Sequence, residues 1–91
     1  MGITTLDKPQ PFLNSKGAKA FILITASPGE REDVLQELKK LKGLREAHIV
    51  IGTYDIIARL ETENYEVLNE HIKSKIRKMR GVRRARTLIV I

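Results

Sequence analysis

A chain of 91 residues with 42% hydrophobic content, 17 Lys plus Arg against 11 Asp plus Glu and no Cys has room for one small core and not for a second. The missing cysteines remove disulfides, thiolate metal sites and Cys nucleophiles together, so packing or self-association has to stabilise so small a core. No apolar stretch approaches the roughly 18 residues of a spanning helix, and the first residues carry prolines and charges rather than a secretory leader, so the sequence reads as cytoplasmic with no membrane segment.

Residues 1–17, with Pro9, Pro11 and Gly17, show neither helical nor strand periodicity and are expected to form an extended or disordered arm ahead of a domain spanning 18–91. From Ala18 to Ala26 the run Ala-Lys-Ala-Phe-Ile-Leu-Ile-Thr-Ala is β-rich and apolar on both alternating faces, which predicts a strand buried on two sides. Ser27-Pro28-Gly29-Glu30 then has the spacing of a capping box, with Ser27 as N-cap, Pro28 at the first helical position and Glu30 at the third. Val34, Leu35, Leu38 and Leu41 fall on one stripe at helical spacing, so the first helix is expected to run to about Lys42, with Gly43 as its left-handed stop.

Leu44 to Ile51 returns to strand character, Gly52-Thr53-Tyr54-Asp55 interrupts it, and Ile56 to Leu60 resumes it, which reads as a hairpin. After Thr62 or Asn64, either of which can cap, Tyr65, Leu68, Ile72, Ile76 and Met79 recur every three or four residues and define a second amphipathic helix closed by Gly81. Val82 to Ile91 is the last strand.

An internal echo supports this order. Val34, Leu38, Leu41, Gly43, Leu44, Ala47 and Val50 match Ile72, Ile76, Met79, Gly81, Val82, Ala85 and Leu88, each pair lying at one constant separation. Two interleaved βαβ halves give an α+β, ferredoxin-like βαββαβ domain, with a four-stranded antiparallel sheet and both helices on one face. A monomer of this kind should alternate apolar inward with polar outward on each strand. Here Phe21, Leu23, Leu88 and Val90 face opposite to Ile22, Ile24, Ile89 and Ile91, so both faces carry large aliphatics. With no third helix to cover the open face, Phe21, Leu23, Leu88 and Val90 are expected to form a sheet-to-sheet homodimer interface.

The positive charge is local. Lys73, Lys75, Arg77, Lys78, Arg80, Arg83, Arg84 and Arg86 lie in a stretch without one acid, while residues 1–70 hold nine basic and eleven acidic side chains. Such a block can be a solvated face, or a surface for nucleic acid or an acidic partner protein. Base stacking across the sheet is excluded, because Phe21 is the sole strand aromatic. Catalytic constellations are missing: His48 on a strand and His71 on a helix have no acid at ligand or triad spacing, so neither an enzyme, a metal centre nor a cofactor is expected. The hairpin offers a glycine for close backbone approach and, in Asp55, a carboxylate for an ammonium group.

Taken in order, Ala20-Phe21-Ile22-Leu23-Ile24, Pro28-Gly29, Gly52-Thr53-Tyr54-Asp55, Gly81-Val82 and Thr87-Leu88-Ile89-Val90 resemble the effector-binding domain of Lrp/AsnC (feast/famine) transcriptional regulators over residues 18 to 91. The resemblance implies a domain that dimerises through its sheets, assembles dimers into larger rings and binds amino-acid effectors between dimers. Carried over by position, Gly52, Thr53, Tyr54 and Asp55 match the hairpin loop that lines the effector site. Thr87 matches the second threonine of the last strand, while the first is Ala85 here. Family proteins place a helix-turn-helix domain before this module, and only seventeen irregular residues precede it here. The chain is therefore expected to act as a stand-alone effector domain, by itself or co-assembled with full-length relatives, and direct sequence-specific DNA binding is disfavoured.

Overall fold

The computed structural model describes residues 17–91, so all of the expected N-terminal arm except Gly17 lies outside the described residues. Strands β1 (Ala18–Ala26), β2 (Leu44–Ile49), β3 (Ile56–Thr62) and β4 (Val82–Ile89) and helices α1 (Arg31–Leu38) and α2 (Tyr65–His71) follow in the order β-α-β-β-α-β, and a π-helical turn over Ile72–Ile76 prolongs α2. The sheet order is β2-β3-β1-β4, with every neighbouring pair antiparallel. This is the ferredoxin-like α+β arrangement.

The two-residue period of a strand decides what each face holds. On β1, Ala18, Ala20, Ile22, Ile24 and Ala26 are buried under the helices, as are Ile56, Ala58 and Leu60 on β3. Val34 and Leu38 of α1, Leu68 of α2, and Ile72 and Ile76 of the π-helical turn close the core from above. The residues between them on β1 and β3, Phe21, Leu23, Ile57 and Arg59, occupy the other face, which no element among the described residues covers.

Local chemistry departs from the expected boundaries in two places. The capping box at Ser27 does not form. Residues 27–30 make a tight turn closed by a hydrogen bond from the Glu30 N–H to the Ser27 carbonyl at 2.9 Å, with Gly29 at φ +78°. Pro followed by glycine at positive φ is the requirement of a type II turn, and a residue at positive φ cannot belong to a first helical turn. Helix α1 therefore begins at Arg31, and the side chain of its N-cap residue, Glu30, makes no capping hydrogen bond. The helix also stops at Leu38, short of Lys42, because Lys40 N–H and Leu41 N–H bond to the carbonyls of Glu37 and Leu38 and wind the chain into tight turns. At α2 the ambiguity between two caps resolves to Asn64: its Oδ1 accepts from Val67 N–H at 2.8 Å, while the Thr62 hydroxyl donates to the Asn64 carbonyl.

Candidate functional site

The β2–β3 hairpin spans residues 50–55, closed by a hydrogen bond from Val50 N–H to the Asp55 carbonyl at 2.8 Å. Gly52 and Thr53 are exposed, Tyr54 is half-buried, and Ile51 projects into solvent at 99% exposure. Gly52 has φ +150°, and a Cβ at that position would meet nothing within 4 Å among the described residues.

Asp55 sits at a junction. Its N–H donates to the Ile24 carbonyl at 2.9 Å, and its Oδ2 accepts from Ala26 N–H at 2.8 Å. Ala26 lies beyond the last β1–β3 pair, Ile24 with Ile56, so its N–H would be orphaned without that carboxylate. One Asp55 oxygen therefore fixes the end of β1, and the other accepts no side-chain hydrogen bond among the described residues.

Thr87 is placed elsewhere. It stands opposite Ile22 on β4, on the helix side of the sheet, and its Oγ1 is buried without a hydrogen-bond partner among the described residues. Asp55 contacts β1 from the β3 side, whereas Thr87 flanks it from the β4 side. A single protomer thus does not bring Thr87 and the hairpin carboxylate together.

The basic residues also divide between surfaces. Lys73, Lys75, Arg77, Lys78 and Arg80 are exposed on the π-helical turn and the loop after it, while a bulge between Thr25 and Ala26 of β1 leaves Arg83 out of the ladder and sets Arg84 opposite Thr25 and Arg86 opposite Leu23. Arg84 and Arg86 therefore share the open face with Phe21, Leu23 and Leu88, and the basic stretch is not one continuous face. Of the eight cations only Arg80 pairs with a carboxylate among the described residues, that of Glu30 at 3.8 Å.

At the opposite edge of the open face lies a network that the sequence reading missed. Arg59 Nε donates to Glu46 Oε2 at 3.0 Å, and its guanidinium also bonds Glu61. Arg45 Nε lies 3.5 Å from Glu61 Oε1, and His48 Nε2 lies 3.1 Å from Glu46 Oε1. His48 thus has an acid partner after all, two residues away on the same strand face. Hydrogen bonds from His48 and then Arg59 hold the Glu46 carboxyl below the usual carboxylate range. The signal was available as Arg59-x-Glu61, two outward-facing charges on a strand whose inward residues Ile56, Ala58 and Leu60 are apolar. No three or more His, Cys, Asp or Glu side chains among the described residues converge on a site that could hold a metal.

A family model described as the Lrp/AsnC ligand binding domain matches residues 19–91. Among curated relatives, an uncharacterized HTH-type transcriptional regulator of Pyrococcus furiosus is 30% identical over 76 residues, covering 80% of this chain and 51% of its own length. The chain thus spans about half the length of the curated relatives that it matches. A hypothetical protein from Pyrococcus horikoshii of known structure is 35% identical with a TM-score of 0.78, over 81% of this chain and 89% of that one. A transcriptional regulator of Neisseria meningitidis, solved as a complex with L-Met, shares the fold at a TM-score of 0.79 and 18% identity, over 91% of this chain and 55% of that one.

Proposed function

The chain belongs to the Lrp/AsnC ligand-binding domain family, and from that membership we propose that it is a regulatory module that self-associates through the open face of its sheet and binds an amino acid or related small effector where dimers meet. In this reading effector binding changes the assembly and, through co-assembly with helix-turn-helix relatives, transcription. The observation that carries the shared site is the separation of its parts. The hairpin carboxylate and Thr87 lie on opposite sides of β1, so a ligand that uses both needs them from different copies. The fully exposed Ile51 at the hairpin tip is an apolar group that such a contact would bury. Within the site, the free oxygen of Asp55 would pair with the ligand's ammonium, the backbone of residues 52–55 would hold its carboxylate, and the unpartnered Thr87 hydroxyl would gain a hydrogen bond. The L-Met complex of the Neisseria regulator supports the ligand class.

Thermal-shift screening with the twenty amino acids, read beside light scattering, tests this reading. At least one amino acid should raise the melting temperature and shift the assembly. Asp55→Asn should remove that response while keeping a carbonyl oxygen for Ala26 N–H; a fully retained response would refute the assignment. The unpaired cations from Lys73 to Lys78 support a second reading, an interaction surface for nucleic acid or an acidic partner protein. Retention of duplex DNA that weakens steeply with added salt would favour it, and no retention at low salt would remove it for nucleic acid.

A further inference from the structure

The helix side of the sheet carries an opening of its own. Helix α1 follows β1 and α2 follows β3, and because those strands are antiparallel neighbours the two helices return antiparallel across the sheet. A groove of about 910 Å³ lies between them, within the roughly 300–1,000 Å³ of small-molecule sites. Its apolar lining is Leu41 and Met79, each partly buried against the core.

The two walls differ in charge. Glu30, Asp33 and Glu37 line the α1 side, whereas Lys75 and Arg80 line the α2 side. Pairing neutralises only part of this. Arg80 Nε reaches Glu30 Oε1 at 3.8 Å across the groove, and Lys40 Nζ donates to Glu37 Oε2 at 3.0 Å along its own wall. Asp33 and Lys75 make no ion pair or side-chain hydrogen bond among the described residues, although both are exposed to the same groove. On the α2 wall the Nδ1 atom of His71 is buried without a hydrogen-bond partner among the described residues. A buried imidazole nitrogen is normally hydrogen-bonded, as donor or acceptor according to its tautomer. Lys75 lies in the π-helical turn, where Arg77 N–H bonds the Ile72 carbonyl at 2.9 Å. Such single π turns are rare and frequently mark functional sites.

An apolar floor flanked by an unpaired carboxylate and an unpaired ammonium suits a molecule that is positive at one end, negative at the other and aliphatic between. A single amino acid holds its charges only about 3 Å apart and would fill little of the groove, whereas a dipeptide separates them by about 5–6 Å and adds an amide. We propose that the groove between α1 and α2 binds a short peptide with free termini, its ammonium at Asp33, its carboxylate at Lys75 and an amide group at His71 Nδ1. The groove shares no residue with the hairpin or with Thr87, so this inference does not rest on the effector reading above.

Titration calorimetry with the dipeptide Leu-Leu tests it, with the N-acetylated, C-amidated form of the same dipeptide as control. Leu-Leu should bind saturably, one molecule per chain, and capping both ends should weaken binding at least tenfold. Asp33→Asn and Lys75→Gln, both outside the core, should each weaken it at least tenfold and keep the wild-type circular dichroism spectrum. Asp55→Asn should bind Leu-Leu as wild type does. In amide NMR spectra the peptide should shift residues 33–41 and 71–80 and leave residues 50–55 unmoved. No saturable binding at millimolar peptide, equal binding of the capped form, or wild-type affinity in both groove variants would overturn the proposal. Shifts confined to residues 50–55 would overturn it and leave the hairpin effector reading standing. Groove shifts with Leu-Leu in a protein that responds to no single amino acid would uphold it and remove the effector reading alone.

Discussion

Glycine roles separate cleanly once the space around each is known. Gly43 and Gly81 have φ +94° and +92°, and each ends a helical segment just before a strand, as the repeated pattern in the sequence implies. Gly43 does more than bend. A Cβ there would lie 2.6 Å from the Glu61 carbonyl oxygen, which belongs to the same residue whose N–H bonds the Gly43 carbonyl at 2.9 Å. Backbone against backbone cannot yield as a flexible side chain would. Gly43→Ala should therefore combine a left-handed penalty of about 1–2 kcal/mol with an overpacking penalty of about 1–3 kcal/mol. In a domain of this size each kcal/mol lowers the melting temperature by about 4–8 °C, so calorimetry should find a drop on the order of 10 °C or more. Gly52→Ala should melt above Gly43→Ala, since φ +150° costs it a backbone penalty of about 1–3 kcal/mol but open space surrounds that position and adds no overpacking. Equal melting of the two variants would show that the packing around Gly43 yields more readily than its geometry implies. A loop glycine in a sequence does not reveal whether its missing Cβ faces protein or open space: at Gly43 it faces the Glu61 backbone, and at Gly52 open space.

At the level of elements, the strands and the core stripes of both helices were legible because periodicity reports burial directly. Alternation on β1 and β3 and the spacing of Leu68, Ile72 and Ile76 correspond to residues that are buried. Boundaries were less legible where one motif satisfies two templates. Ser27-Pro28-Gly29-Glu30 suits both a capping box and a type II turn, and glycine at positive φ decides for the turn. The π-helical turn over Ile72–Ile76 left no signature, since its buried residues keep the spacing of an α-helix. Nor did the bulge at Thr25/Ala26, which divides Arg83 from Arg84 and Arg86 and so breaks an apparently single basic run. Asn64 is the one residue whose side chain caps the N-terminus of a described α-helix, through Oδ1 and Val67 N–H at 2.8 Å. Asn64→Ala should destabilise the domain by about 1 kcal/mol through that lost bond, measured as a lower urea midpoint at unchanged slope. An unchanged midpoint would mean that water satisfies the N–H equally well.

For the whole molecule, the decisive quantity is the apolar surface on the side of the sheet that no described element covers. Phe21 is 37% exposed, Leu88 49% and Val90 38%, and half-buried Leu23 and Ile57 lie among them. Full burial of one large apolar side chain is worth about 1.5–3 kcal/mol, and these groups are already partly covered, so each gains about half of that on association. Against the substantial cost of immobilising two bodies, the surplus is modest, which places dissociation in a concentration range that can be reached by dilution. The melting temperature should then rise with protein concentration, because assembly binds the folded state and not the unfolded one. Leu88→Ser removes one half-exposed side chain from each of two copies, a loss of about 2 kcal/mol in association, or roughly thirtyfold in the dissociation constant. Its effect on the isolated protomer is small, since Leu88 contributes nothing to the helix-side core. Wild type and variant should therefore melt together when dilute and separate as concentration rises, the wild type climbing first. A wild-type melting temperature independent of concentration, or a variant that follows the same slope, would show that this face is not where copies of the chain meet.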